Sequence, residues 1–119
     1  MPRFLKSERL GRSKEFQAVF KQCRKLEDGH LSLYVQFNKE DAGFRKFGVS
    51  LSRALGKAHL RNRLKRRLRE IYRVEKEHFR GGFQVILIPR RGCVGLPFSE
   101  LRRSFLTLFE KAGLLPRMK

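Results

Sequence analysis

From Lys57 to His78 the chain runs for 22 residues without a proline or glycine. Within that run Leu60, Leu64, Leu68 and Ile71 recur at three- and four-residue intervals. Such spacing suits one long helix and is incompatible with a strand, whose faces alternate at every residue. At about 100° per residue, with Arg61 at zero, the four apolar side chains fall between about 260° and 340°. So narrow an apolar arc has to lie on another apolar surface, which the rest of the chain must supply. Arg61, Lys65, Arg69, Asn62, Arg73 and Arg66 occupy the arc from 0° to about 140°, one basic face holding a single amide. Glu70 falls at about 180°, past its edge, and Arg63 at about 200°, at its far margin. Arg67, at about 240°, points toward the apolar side and is expected to snorkel out of it.

Alternating strands are the expected surface. In LSLYVQF, residues 31–37, Leu31, Leu33, Val35 and Phe37 alternate with Ser32, Tyr34 and Gln36. RKFGVSLS, residues 45–52, puts Phe47, Val49 and Leu51 on one face and Gly48, Ser50 and Ser52 on the other. FQVILIP, residues 83–89, is apolar on both faces and reads as a central, fully covered strand. Arg24 to Leu26 is a further short strand candidate, and NKEDAG, residues 38–43, a turn. Ser13 can cap a helix over about 14–22, with Phe16, Val19, Phe20 and Cys23 on one face. Gly81 and Gly82 end the basic helix. Pro97 and Ser99 open a last helix whose stripe is Leu101, Phe105, Leu108, Phe109 and Ala112, with Gly113 as its cap. The order helix, two or three strands, helix, strand, helix predicts an α+β fold in which helices cover a sheet. The length of 119 residues fits one domain, residues 1–119, with its core over about 8–113.

Charge narrows the partner. Lys and Arg number 29 against 11 acids, a formal net charge of +18. Self-repulsion on that scale is relieved by a polyanion: nucleic acid, an anionic membrane or an acidic protein. From Arg53 to Arg73 there are seven Arg and two Lys with Glu70 as the single acid, whereas a merely solvated helix face usually mixes signs. A membrane-bound helix needs a free apolar face, which here is wanted by the core. A DNA-binding basic region needs a heptad zipper, and the leucines stop after three. Arginine in preference to lysine favours planar, bidentate phosphate contact. RNA is the leading partner. Tyr34, an aromatic among Ser32 and Gln36, can stack an unpaired base. Phe16 and Phe20 either belong to the core or line the same surface.

Chemistry-bearing motifs are absent. His30, His59 and His78 are isolated, no metal-ligand spacing occurs, and there is no P-loop or nucleophile elbow. Cys23 and Cys93 form no CxxC and read as reduced thiols. No secretory apolar segment or membrane-length run occurs, so a soluble, cytoplasmic protein is expected.

GKAHLRNRLKRRLREIYR closely resembles the arginine-rich signature of the bacterial ribonuclease P protein family, centred on Arg61-Asn62-Arg63, Lys65-Arg66 and Arg69-Glu70. SERLGRSKEFQAVF resembles the family's opening, LSLYVQF its leader-facing strand, FGVSLSRALGKA its approach to the basic helix, and FQVILIPRRG its last strand. The resemblance covers about residues 8–113. It implies an α+β fold of order α-β-β-β-α-β-α on a four-stranded mixed sheet, with a left-handed βαβ crossover. It also implies a subunit that joins a catalytic RNA to remove the 5′ leader of precursor transfer RNA and broadens the substrate range. The RNA, with magnesium, performs the hydrolysis; the protein supplies no catalytic residue and binds no cofactor of its own, and one protein per RNA subunit is expected.

Carried onto this chain, the resemblance assigns Arg53, Lys57, Arg61, Asn62, Arg63, Lys65, Arg66, Arg69 and Arg73 to the RNA subunit. It assigns Phe16, Phe20, Tyr34, Ser32, Gln36 and Ser50 to a cleft for the single-stranded leader, with Lys65 near the cleft side. Three positions depart from the family: Cys23 where glycine is common, Gln84 where an acid is frequent, and Arg67 where an apolar residue is usual. The competing functions are a general RNA-binding or ribosomal protein and a protein-only nuclease.

Overall fold

The computed structural model describes residues 23–37, 45–79 and 81–115. Four strands, β1 (Arg24–Glu27), β2 (Leu31–Phe37), β3 (Arg45–Val49) and β4 (Phe83–Pro89), make one sheet in the order β1-β2-β4-β3. β2 pairs antiparallel with β1 and with β4, and β3 pairs parallel with β4. The mixed four-stranded sheet agrees with the sequence reading. The expected first helix and the turn at 38–43 lie outside the described residues, as do Phe16 and Phe20.

Register decides the two faces. Leu31, Leu33 and Val35 sit opposite Pro89, Leu87 and Val85, and Phe47 sits beside Val85, so one face is continuously apolar. Tyr34 sits opposite Ile86 and Gln36 opposite Gln84, so the other face is mixed. The apolar face is covered by helix α1 (Ala58–Glu75) and helix α2 (Phe98–Lys111), whose Leu64, Leu68, Ile71, Leu101, Phe105, Leu108 and Phe109 join the core. β4 is central and apolar on both faces, as its composition demanded: Ile86 is buried against Cys23, Tyr34 and Ile88 on the mixed face.

Three local details differ from the sequence reading. The third strand stops at Val49 instead of running to 52. Ser50 donates its N–H to the Leu87 carbonyl, and then the Ser52 hydroxyl accepts from the Ala54 N–H and turns the chain into a short 3₁₀ segment. Leu60, placed in the core by its angle, is 37% exposed and lines a surface groove with Leu55 and Val94. Tyr72, which the leucine arc leaves out, belongs to the core: its ring is fully buried and stacks on Phe47 at 4.4 Å between centroids. It lies at about 20°, just past the edge of the leucine arc.

α2 ends in a Schellman motif. The Leu114 N–H bonds to the Phe109 carbonyl and the Gly113 N–H to the Glu110 carbonyl, with Gly113 at φ 82°. That left-handed conformation costs glycine little. Asp28 fastens the β1–β2 turn to α2: its carboxylate accepts from the His30 and Leu31 N–H groups, 2.8 Å each, and from the Ser104 hydroxyl. Partial burial would raise this carboxyl, but those three hydrogen bonds outweigh it and hold it below the usual carboxylate range.

Candidate nucleic-acid interface

The orientation of α1 follows from its side contacts. Arg67 reaches the Leu96 carbonyl at 3.4 Å, so it snorkels out of the apolar arc onto the loop before α2. Glu75 takes Arg102 of α2 at 2.6 Å and His78 at 3.2 Å. Burial would raise the Glu75 carboxyl, but the hydrogen bonds with Arg102 and His78 hold it low. This side of α1 therefore faces α2. The flank carrying Arg61, Asn62, Lys65, Arg66 and Arg69 looks away from it.

Along that flank Asn62 and Arg66 are exposed, while Arg61, Lys65 and Arg69 are half-buried. Arg53 and Lys57, both exposed, extend it past the N-terminal end of α1, and Arg63 is exposed at its margin. Arg73 is engaged: its Nε and Nη2 donate to the two Glu70 oxygens at 3.0 and 2.5 Å, and this pairing lowers the Glu70 pKa. Arg61 Nε is buried without a hydrogen-bond partner among the described residues. A buried N–H donor in that state costs free energy until an acceptor arrives. Leu60, Arg61, Arg63 and Arg67 also line a groove of about 340 Å³ shared with Leu55 and Val94, into which Leu60 is turned. Leu64, Leu68 and Ile71 of the apolar arc are taken up by the core, so α1 keeps no continuous apolar stripe for insertion into lipid. Among the described residues no helix is long and apolar enough to cross a membrane.

The mixed sheet face holds the remaining predicted residues. Tyr34 is half-buried, and the Lys25 ammonium lies 5.6 Å from its ring centroid. Ser32 is 6% exposed and donates toward Glu27 at 3.4 Å. Gln36 is half-buried and accepts from Gln84 Nε2 at 3.1 Å, so the glutamine that departs from the family pairs across the strands. Ser50, half-buried, follows directly after β3. Lys25 and Glu27 of β1 were missed by sequence reasoning. Their signal was the opposite charges two residues apart in RKLE beside a strand, but their place next to Tyr34 and Ser32 depends on cross-strand register.

The described residues hold no group of three His, Cys, Asp or Glu side chains able to bind a metal ion, and a flank of guanidinium groups repels one. Cys93 is buried, and that burial, together with the nearby Asp28 charge, pushes its thiol up to about 11. Both cysteines are free thiols.

A helix with one cationic flank, lying on a four-stranded mixed sheet whose far face combines polar, aromatic and aliphatic residues, defines a small basic α+β protein suited by charge to a polyanion. The ribonuclease P family model matches residues 4–113. The ribonuclease P protein component of Symbiobacterium thermophilum is 40% identical over 113 residues, covering 94% of this chain and 96% of that protein. That of Clostridium acetobutylicum is 32% identical over 111 residues, covering 93% of each. Among solved structures, the Staphylococcus aureus RNase P protein superposes with a TM-score of 0.83 at 29% identity, covering 92% of this chain and 99% of that one. The Thermotoga maritima RNase P protein gives 0.78 at 30% identity, covering 87% and 96%. The chain belongs to the ribonuclease P protein family. It is thereby a ribonucleoprotein component in transfer-RNA processing, part of an endoribonuclease complex.

Proposed function

We propose that this protein is the RNA-binding, non-catalytic subunit of ribonuclease P, acting in the cytoplasm, one copy per catalytic RNA, in removal of the 5′ leader from precursor transfer RNA. The observation that carries this is the segregation of charge on α1: Leu64, Leu68 and Ile71 are buried in the core while Arg61, Lys65, Arg66 and Arg69 share another flank. With Arg53, Lys57, Asn62 and Arg63, that flank neutralises phosphates of the RNA subunit. Arg73, bound to Glu70, joins the contact only by exchanging its carboxylate for a phosphate. The leader lies on the other sheet face, where Tyr34 stacks a base and Ser32, Gln36 and Ser50 offer polar groups, with Phe16 and Phe20 completing the cleft. Stacking and backbone contact carry little sequence preference, which broadens the range of substrates. Magnesium belongs with the RNA, whose phosphates can hold it, and the hydrolysis with it.

Reconstitution tests this. Precursor transfer RNA at low magnesium is incubated with RNA subunit alone, protein alone and both. The expected outcome is leader removal with both and none with protein alone. Cleavage by the protein alone would establish a protein-only nuclease, and equal cleavage with and without the protein would make it a general RNA binder.

A further inference from the structure

Glu27 is the single acid on the mixed sheet face among the described strand residues. Its position is specific. One oxygen, Oε2, receives the Lys25 ammonium at 3.5 Å, the Arg90 guanidinium at 3.7 Å and the Ser32 hydroxyl at 3.4 Å. Arg90 is fixed from behind, since its Nη1 also donates to the Asp28 carbonyl at 2.9 Å and its backbone N–H to the His30 carbonyl. Two cations and a hydroxyl converging on one oxygen is the donor set that a phosphodiester oxygen attracts. Lys25 stands directly across from Tyr34 in the β1–β2 register, with its ammonium near that ring. The cluster therefore borders the surface on which a base would stack.

We propose that Lys25, Arg90 and Ser32 form a phosphate subsite of the leader-binding face and that the Glu27 carboxylate occupies it as an internal phosphate mimic, to be displaced when leader RNA binds. The proposal rests on the leader-face reading above and adds a self-competition to it. The carboxylate is held loosely enough to leave. All three of its contacts are longer than a good charge-assisted hydrogen bond, and the Lys25, Glu27 and Arg90 side chains are each 49% exposed. Displacement costs the protein one weak exposed ion-pair cluster and returns a stronger one to the RNA. Glu27 thus lowers affinity for any single strand and leaves binding to depend more on the stacked base. It acts as a specificity residue on this face.

The test is Glu27→Gln in the full chain assembled with its RNA subunit. Affinity is measured for precursor transfer RNA carrying a single-stranded leader and for the leaderless form, across a salt series. Glu77→Gln, exposed just beyond the end of α1, serves as the charge-matched control. Glu27→Gln is expected to bind leader-bearing precursor about two- to fivefold tighter, the range set by an exposed ion pair. Its salt slope should steepen by about 0.7, because one more net positive charge faces the leader phosphates. Leaderless RNA should be unaffected, and Glu77→Gln should change neither. If wild type favours the leader but Glu27→Gln binds it no tighter, or tightens both RNAs alike, the subsite is refuted while the leader face stands. If wild type binds both RNAs equally, the leader-face reading falls and the subsite with it.

Discussion

Arg66 and Arg73 lie on the same flank of α1, yet they are in different electrostatic states, and salt dependence should tell them apart. Arg66 is exposed and makes no hydrogen bond or ion pair among the described residues. Arg73 is held by both oxygens of Glu70. If the flank neutralises about five phosphates of a folded RNA, log K falls with log salt at a slope of about −4.5. A fourfold rise in salt then weakens binding about 500-fold. Arg66→Ala removes one contact, so its slope should be about −3.6 and its loss over the same range about 150-fold. The helix itself should survive, because alanine is the better helix former and the site is exposed. Arg73→Ala should leave the slope nearly unchanged, since its charge was already compensated within the protein. Glu70→Gln should do the reverse and steepen the slope by about 0.9 by releasing Arg73. The assay is an equilibrium titration of each variant against the RNA subunit over a salt series, with circular dichroism as the check on folding. An Arg66→Ala slope equal to wild type, or an Arg73→Ala slope as shallow as that expected of Arg66→Ala, would refute the assignment of free and engaged charges.

Two further outcomes concern the scaffold. Asp28→Ala removes two hydrogen bonds within the β1–β2 turn and one from that turn to Ser104 of α2, and should cost about 1–3 kcal/mol at neutral pH. The folded-state pKa of Asp28 is depressed, so its contribution is complete above the unfolded value near pH 4 and is lost as pH falls through the lower folded value. In denaturant titrations the gap between wild type and Asp28→Ala should narrow below about pH 4, and a constant gap would contradict the charged role. Tyr72→Ala empties a fully buried aromatic site stacked on Phe47 and should cost about 3–5 kcal/mol by the same measurement. A loss below about 1 kcal/mol would mean that the ring is not part of the core.

How far the sequence reveals this molecule depends on whether the information is local. The period-2 pattern of residues 31–37 and the two-sided apolar run of 83–89 are local, and both strands form over those residues. The leucine arc of α1 is local too, but an angle gives direction and no depth. That is why Leu60 is placed inside when it lies in a surface groove, and why Tyr72 at the arc's margin is overlooked. The parallel pairing of β3 with β4 is a choice between distant segments that no periodicity records. The same holds for the candidate site. One-sided charge on α1 is visible from helical geometry alone. The capture of Arg73 by Glu70 is concealed by side-chain conformation, although their three-residue spacing permits it. The convergence of Lys25, Arg90 and Ser32 on Glu27 needs the register of three strands and is invisible in any window of sequence.

The central position of β4 also governs the order in which the molecule can be made. β4 is the strand that joins the β1–β2 hairpin to β3, and it is synthesised after both and after α1. Until residue 89 has left the ribosome the hairpin and β3 have no common partner, and the buried face of α1 has half a sheet to lie on. Closure must then bring together segments separated by the whole length of α1, a non-local step that slows folding. Through that interval the leucines of α1 are uncovered, and its like charges, which strain the finished fold, keep such chains apart from one another.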